Sequence, residues 1–408
     1  MTAPRVLLYV QHLLGVGHVQ RAARLSRALV AQGADVHVAF GGMPVPGVSF
    51  AAAEVHQLLP TRARDAGFSG LVDAEGLSVD EAWWTRRAQQ LVELVTGLTP
   101  DAIVTEHFPF GRRQFARELV PVFEQARTVG QVTIASSVRD ILVTPADSAK
   151  TARMIALAQQ WFDVIYVHAD PDIARLEDSL SEVRAVADRI VYTGYVTEEQ
   201  KVSAPGADCA QLSPEDHGAV LVAAGGGAVG MRLYRAAMAA RIAGLHADRR
   251  WRFLIGSNVD PDARAELAER APENVIVEPN RADYPALLAA AGLSISQAGY
   301  NTMLDLARAG CPAIVVPFAE GGETEQALRA AQFAARGIVT VVPEEKLDAA
   351  ALATALADAG SIHRVSRTAA LRSDLNSRSA PSAIKTGGAT RFAADLLGRI
   401  PRETGVRA

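Results

Sequence analysis

Short apolar runs of strand length alternate with longer runs of helical periodicity along almost the whole chain. The first apolar run, residues 6–10, is followed by a helical stretch over residues 19–32. Val36, Val38 and Phe40 then alternate as the next strand. Strands separated by helices in this way are typical of α/β proteins with parallel sheets. The sequence therefore predicts an α/β fold.

The pattern runs through two cycles, which indicates two domains. The second cycle holds five or six strand–helix units, enough for one doubly wound sheet. We expect two Rossmann-like domains that face each other across a cleft, because ligands bind at the carboxyl edge of such sheets. The predicted parts are an N-terminal domain over residues 1–196, a polar linker over 197–217, a C-terminal domain over 218–375 and a C-terminal helix within 376–408.

Individual strands can be predicted in both cycles, although residues 41–76, rich in glycine and proline, receive no assignment. Further strands are predicted at residues 102–105, 132–136, 164–167, 219–223, 252–255, 275–277, 293–296, 313–316 and 338–341.

Composition excludes several classes of protein. Lysine and arginine number 41 against 45 acidic residues among 408, a net charge of −4, which argues against a nucleic-acid partner. Two cysteines cannot build a disulfide framework or a multi-thiolate zinc site, and a reducing compartment is favoured. Residues 6–10 are too short for a signal-peptide core, and no apolar run reaches the roughly 18 residues of a membrane helix. We expect a cytoplasmic protein, with peripheral membrane contact and oligomeric state left open.

Two loops of the first domain carry histidines directly after predicted strands. His18 stands at a helix start, where the helix dipole should lower its pKa and keep it a neutral base. Glu106 and His107 follow a later strand at the same sheet edge, where a carboxylate could orient His18. His12 and His107 compete for the role of base. The alternative interpretation is that His18 only caps or packs.

A glycine run follows the first strand of the second domain. Gly225, Gly226 and Gly227 precede a helix, so that backbone N–H groups and the helix dipole could hold a phosphate. Neither the dinucleotide pattern nor the P-loop pattern is complete. A tight strand-to-helix turn is the alternative.

A second glycine loop follows a later strand of the same domain. Gly299 and the amides after it could hold another phosphate, while Asp305 accepts hydrogen bonds from ribose hydroxyls. The alternative is structural, because Thr302 and Asp305 have the spacing of a capping box.

An acidic loop follows the next strand. Glu323, Glu325 and Gln326 offer acceptors for sugar hydroxyls. The alternative is that Thr324 caps a helix whose first turn prefers acidic residues.

Metal-ligand spacings are weak in this sequence. The pairs Asp170–Asp172 and Asp260–Asp262 each enclose a proline and are typical of turns before helices, so no metal site is predicted. Trp83 and Trp84 indicate either an acceptor-binding or membrane-facing surface or a helix face with aromatic packing beneath it.

Together these segments resemble the GT-B glycosyltransferases related to the peptidoglycan N-acetylglucosaminyltransferase. The specific stretch, residues 296–317 (SQAGYNTMLDLARAGCPAIVVP), is similar to the donor signature of that family. Residues 106–111, 137–142 and 192–196 are closer to a poorly characterised "predicted glycosyltransferase" branch of it. The resemblance covers nearly the whole chain and is weaker in the first half.

The resemblance implies a nucleoside-diphosphate sugar donor, most often UDP-linked, bound by the second domain without a cofactor or metal ion. It also implies that the last helix packs back on the first domain. In the implied donor site, Asp305 replaces the usual glutamate of the ribose contact, and Glu325 and Gln326 take the place of the sugar-contacting pair. The remaining residues implied at the donor site are Gly225, Gly226, Gly227, Arg281, Gly299, Tyr300, Asn301, Thr302 and Glu323, and those on the acceptor side are Gly17, His12, His107 and Arg139.

Three functions follow from this interpretation. The first is an inverting glycosyltransferase in which His18, oriented by Glu106, deprotonates an acceptor hydroxyl. The others are a nucleotide-sugar epimerase or hydrolase, which needs no acceptor, and a non-catalytic sugar-nucleotide sensor. Turnover without acceptor would favour the second.

Overall fold

The chain divides into two compact units, Met1–Glu198 with Lys385–Ala408 and Glu199–Ile384. The predicted linker lies mostly outside the described residues, as does the predicted boundary at residue 375. The computed structural model describes residues 2–13, 17–45, 47–50, 52–65, 69–142, 147–197, 212–225, 230–256, 259–319, 324–357 and 384–401.

The first unit is built on a seven-stranded parallel sheet with the order β3-β2-β1-β6-β7-β8-β9. A short antiparallel pair, β4 and β5, stands apart from it. Apart from β9, this is the Rossmann strand order, which brings the carboxyl ends of all strands to one edge. The strands are β1 Arg5–Val10, β2 Asp35–Phe40, β3 Glu54–Gln57, β4 Arg62–Ala63, β5 Leu71–Val72, β6 Ala102–Glu106, β7 Thr133–Arg139, β8 Val164–His168 and β9 Ile190–Tyr192.

Helices connect most of the successive strands of this sheet, whereas no described helix lies between β2 and β3. Gly33, with φ of +87°, lies just beyond the first helix, where a left-handed residue ends it. The helices are α1 Gly17–Ala31, α2 Glu81–Leu98, α3 Ala116–Val129, α4 Ser148–Trp161 and α5 Leu176–Ser179, together with the C-terminal helix Gly388–Arg399.

The second unit has a six-stranded parallel sheet with the order β12-β11-β10-β13-β14-β15, the strand order of a dinucleotide-binding Rossmann fold. The strands are β10 Val220–Ala223, β11 Trp251–Ile255, β12 Val275–Pro279, β13 Leu293–Ser296, β14 Ala313–Val315 and β15 Thr340–Val341. The helices are α6 Met231–Ile242, α7 Pro261–Glu269, α8 Tyr284–Ala290, α9 Tyr300–Ala309 and α10 Glu325–Ala334, and residues 349–357 are also helical.

The prediction of parallel α/β sheets is therefore confirmed in both units. Residues 41–76, which received no assignment, supply the edge strand β3 and the β4–β5 pair. The surface interpretation of Trp83 and Trp84 is wrong, because the two residues are only 5% and 8% exposed. Their indole rings pack edge to face, and the ring of Trp84 also meets Phe115.

The C-terminal helix completes the core of the first unit. Phe392 is fully buried and packs edge to face against Tyr166 of β8. The Tyr166 hydroxyl donates to Asp395 at 2.7 Å, and Arg391 donates to the Thr193 carbonyl at 3.0 Å. Ala389, Ala393 and Leu396 of the same helix are buried in this core as well, so an apolar face and these hydrogen bonds tie the helix to the first unit.

We predict that Phe392→Ala lowers the free energy of unfolding of the first unit by about 3–5 kcal/mol, because it opens a cavity where an aromatic ring was buried. Urea unfolding followed by fluorescence measures the change, and Phe392→Leu, which fills more of the space, should lose less. Equal unfolding midpoints for Phe392→Ala and the parent chain would show that the helix is not part of the core.

Candidate active site

His18 and Glu106 meet at the carboxyl edge of the first sheet. His18 is the second residue of α1, and Glu106 is the last residue of β6, the neighbour of β1. The Nδ1 atom of His18 lies 2.9 Å from Oε1 of Glu106. The Glu106 side chain is only 3% exposed, whereas that of His18 is 16% exposed. The parallel fold thus brings together a histidine and a carboxylate that stand 88 residues apart.

Glu106 is shared among several partners. Arg21 also donates to Oε1 of Glu106, and its guanidinium lies 3.1 Å from Nδ1 of His18. The other carboxylate oxygen accepts from the hydroxyl of Ser137 at 3.0 Å. A buried carboxylate needs such partners, because its charge has lost its water.

A buried chain of hydrogen bonds continues from Ser137. Its hydroxyl oxygen lies 2.9 Å from Nε2 of His168, and Nδ1 of His168 lies 2.9 Å from the hydroxyl of Thr193. Because Ser137 donates to Glu106, its oxygen accepts from Nε2–H of His168, while the Thr193 hydroxyl donates its own proton to the Gly194 carbonyl at 2.9 Å. Burial lowers the pKa of His168 to about 3, which keeps this ring neutral.

Sequence reasoning missed Arg21, Ser137, His168 and Thr193. Arg21 stands three residues after His18, the spacing of neighbours on one helix face. His168 ends β8, and Thr193 directly follows β9. For His168 and Thr193, the signal that could have found them is therefore the one that found Glu106, a polar residue at the carboxyl end of a parallel strand.

His18 is held in its neutral form. Burial lowers its pKa well below the usual 6.5, and the positive charges of Arg21, Arg112 and Arg139 lower it further. A neutral imidazole whose Nδ1–H is donated to a carboxylate has its lone pair on Nε2. The arrangement can therefore accept a proton at Nε2 while Glu106 stabilises the resulting charge.

The competing histidines lie close by without a bond to Glu106 among the described contacts. The His107 ring lies 5.1 Å from that of His18, and φ of His107 is +72°. His12 lies two residues past the end of β1 and stacks on Phe40 at 5.5 Å. Burial lowers the pKa of both histidines. Both rings meet a glycine, because a Cβ on Gly42 would lie 2.1 Å from His12 and one on Gly111 would lie 2.2 Å from His107.

The other residues proposed on the acceptor side occupy the same sheet edge. Gly17 is the first residue of α1, and Arg139 is the last residue of β7. The charge of Arg139 depresses the pKa of both His18 and His107, which puts it within electrostatic reach of both rings.

In the second unit, the glycine run begins at a residue that needs to be glycine. Gly225 has φ of +73°, and a Cβ on Gly230 would lie 2.4 Å from that of Ala224. Tyr234 fixes this turn through two hydrogen bonds. Its hydroxyl accepts from the amide of Ala224 at 3.0 Å and donates to the Leu254 carbonyl at 2.7 Å. Gly226 and Gly227 lie outside the described residues.

The helix α9 begins at Tyr300, with Gly299 as its N-cap and no side chain capping it. Thr302 is therefore the third residue of the helix, so the interpretation of Thr302 and Asp305 as a capping box is wrong. Asn301 is the second residue, and Asp305 lies one turn further along, half-buried. Among the described residues, a Cβ on Gly299 would meet nothing closer than Thr302 Oγ1 at 3.8 Å.

Gln326 joins the two loops that follow β13 and β14. Its Oε1 accepts from the amide of Ala298 at 3.1 Å and from that of Phe318 at 3.2 Å. Glu325, 5% exposed, pairs with Arg329 at 2.6 Å. The Arg329 guanidinium also lies 5.7 Å from the ring of Tyr300. Glu325 is therefore paired within the protein. Thr324 is the N-cap of α10 by position, but its side chain makes no capping bond.

Two further residues considered in the sequence, Arg281 and Asp260, bind residues two positions further along the chain. Arg281 pairs with Asp283 through two bonds of 2.8 and 2.6 Å. Asp260 is the N-cap of α7 and accepts from the amide of Asp262, as predicted for a turn before a helix. Glu323 lies outside the described residues.

The acidic pair Asp170–Asp172 is engaged by the C-terminal segment. Asp170 accepts from the amide of Asp172 at 3.0 Å, which is the predicted turn. The ammonium group of Lys385 lies 3.2 Å from Asp170 and 2.5 Å from Asp172. The two carboxylates therefore already have a cationic partner, the side chain of Lys385.

Comparisons with known proteins agree with this architecture. Residues 221–384 match the glycosyltransferase family 28 C-terminal domain. A UDP-N-acetylglucosamine--N-acetylmuramyl-(pentapeptide) pyrophosphoryl-undecaprenol N-acetylglucosamine transferase of Prochlorococcus marinus is 29% identical over 59% of this chain and 69% of its own length. The protein of the same name from Mesorhizobium japonicum is 26% identical over 94% of this chain and 92% of its own.

The fold is shared with solved glycosyltransferases. CalG4, the calicheamicin glycosyltransferase, superposes with a TM-score of 0.64 at 17% identity, covering 98% of this chain and all of that one. The predicted GT-B class is thereby confirmed. Among the described residues, none of the helices is long and apolar enough to cross a membrane.

We predict that Arg21→Gln raises the pKa of His18, because it removes the nearest positive charge, whereas Arg21→Lys leaves it low. Titration of ¹³Cε1-labelled histidine by NMR measures the change, with the His18 signal assigned by its loss in His18→Ala. An unchanged His18 pKa in Arg21→Gln would show that burial alone holds the ring neutral.

Proposed function

We propose that this GT-B glycosyltransferase, which is related to those N-acetylglucosamine transferases, moves a sugar from a UDP-linked donor to an acceptor hydroxyl. The transfer proceeds with inversion at the anomeric carbon and without a metal ion. The observation that carries the proposal is the 2.9 Å contact between His18 Nδ1 and Glu106, in a chain whose residues 221–384 match a glycosyltransferase family.

His18 is the proposed general base. As the acceptor oxygen attacks the anomeric carbon, its proton passes to Nε2 of His18. The bond between that carbon and the diphosphate oxygen breaks, and the diphosphate leaves with the electron pair. Glu106, which holds Nδ1–H, offsets the positive charge that forms on the ring. Attack from the side opposite the leaving group inverts the anomeric centre.

The second unit is the proposed donor-binding domain. The start of α9 at Gly299 offers backbone amides and the positive end of a helix dipole to a diphosphate. Asp305 lies one turn further along α9, where its carboxylate accepts from ribose hydroxyls. We assign Gln326 a positioning role, because its oxygen holds the two loops that flank α9 and α10.

We also propose that helix dipoles and amides, rather than a divalent cation, stabilise the leaving diphosphate. The ammonium group of Lys385 already pairs with both Asp170 and Asp172, which supports this assignment. Transfer measured well below the unfolding temperature should therefore survive EDTA. Activity that disappears and returns only with Mg²⁺ or Mn²⁺ would overturn it.

We expect His18→Ala to lower turnover by about 10²–10⁴-fold, because a positioned base contributes that much. Binding of UDP, measured by calorimetry, should be unchanged. His12→Ala and His107→Ala are the matched controls and should retain most of their turnover. If one of them loses turnover while His18→Ala keeps it, His18 is not the base. Rapid release of sugar or formation of an epimer without acceptor would instead favour a hydrolase or epimerase.

We expect Asp305→Ala to weaken UDP binding by about 1.5–3 kcal/mol, the value of a hydrogen bond to a charged group. Calorimetry on the folded variant measures this, with the exposed Glu345→Ala as control. Unchanged affinity in Asp305→Ala would remove the ribose contact from the proposal without touching the role of His18.

A further inference from the structure

A cluster of two histidines and a glutamate lies on the edge of the first sheet, away from the residues assigned to transfer. His37 is on β2, and Glu54 and His56 are on the edge strand β3. The parallel register pairs His37 with Glu54 and Ala39 with His56, so the three side chains share one face. Among the described residues, this is the one group of three such side chains whose ligand atoms all lie within 4.8 Å of one another.

The spacing of the ligand atoms fits one small metal ion. Nδ1 of His37 lies 3.0 Å from Nε2 of His56 and 3.6 Å from a carboxylate oxygen of Glu54. Nε2 of His56 lies 3.8 Å from the other oxygen of Glu54. Ligands bound to Zn²⁺ at 2.0–2.1 Å in tetrahedral geometry are separated by about 3.3–3.4 Å. The two nitrogens and the Glu54 carboxylate, whose two oxygens each lie near one of them, thus have separations close to the edges of one tetrahedral face.

A second carboxylate favours the tautomer of His37 that can bind a metal ion through Nδ1. Oδ1 of Asp35 lies 3.4 Å from Nε2 of His37, a buried nitrogen that makes no hydrogen bond to the residues the structure describes. A carboxylate beside one ring nitrogen favours the proton there and leaves the other nitrogen with its lone pair for a metal. Asp35 is itself held by Nε of Arg5 at 3.1 Å. Asp35 therefore lies where the carboxylate beside many zinc-bound histidines lies.

The degrees of exposure suit an ion that enters from solvent. The side chain of His37 is 8% exposed, that of His56 is 23% exposed and that of Glu54 is 68% exposed. The innermost ligand is fixed in the sheet, while the outermost one is free to close on the ion. One coordination position remains for water.

We propose that His37, His56 and Glu54 bind one Zn²⁺ ion, oriented through Asp35, and that this ion fastens the edge strand β3 to β2. β3 has only four residues and, among the described strands, pairs with β2 alone, so its attachment rests on few hydrogen bonds. A metal ion that binds only the folded chain stabilises it by mass action. The site is structural and separate from the metal-independent transfer proposed above.

The test uses the whole chain, stripped with a chelator, dialysed and then supplied with ZnCl₂. Elemental analysis should find one zinc per chain, and the unfolding temperature should rise with zinc. His56→Gln and Glu54→Gln should lose both effects, whereas the exposed His217→Gln, the matched control, should keep them. Asp35→Asn should bind zinc about 10–100-fold more weakly, as expected for a group that orients a ligand.

Two outcomes would overturn the proposal. The first is a parent chain that retains no zinc after dialysis, which would leave His37 and His56 as a simple hydrogen-bonded pair. The second is equal zinc retention in His56→Gln, Glu54→Gln and the parent chain, which would place the ion elsewhere. Neither result bears on His18, because zinc content and unfolding temperature are measured without substrate.

Discussion

The buried carboxylate of Glu106 is the interaction on which the first unit's site depends. A negative charge at 3% exposure is stable only when donors replace its water. Those donors come from α1 through Arg21 and His18, and from β7 through Ser137. The same carboxylate therefore fixes the start of a helix, the ends of two strands and the tautomer of one histidine. Removing its charge would release all of them together.

The fold and the meeting of His18 with Glu106 could be predicted because they follow from one rule. Parallel strands end at one edge, so polar residues directly after apolar runs meet there whatever their distance in sequence. The predictions that were wrong concern local features, namely where a helix starts and which of its faces is buried. Thr302 and Asp305 have capping spacing, but the helix starts two residues earlier, at Tyr300. For the tryptophans of α2, the sequence does not decide between a surface and a packed face, because it does not show which side of a helix the core covers.

Residues that act through partners from other elements were also beyond the sequence. The ion pair of buried Glu325 with Arg329 cannot be predicted without knowing that α10 packs near α9, whereas the sugar contact of Glu325 stays a prediction. A site at His37 and His56 is not predicted by the sequence, because the two residues lie in different strands without a recognisable metal-ligand spacing. Only the register of β2 with β3 brings them together. Side chains joined by strand pairing or helix packing are the class that single-sequence reasoning misses.

The low pKa of His18 has two opposing effects: it keeps the ring unprotonated, and it makes the ring a weaker base. Burial and three arginines keep the ring unprotonated, so the base is ready at neutral pH, but the same charges oppose the imidazolium that forms when it accepts a proton. Glu106 resolves this only in part, since Arg21 shares its Oε1. Proton transfer is therefore favourable only together with formation of the new C–O bond, when the attacking oxygen has become acidic. Afterwards the low pKa speeds loss of the proton, and His18 returns to its neutral form for the next turnover.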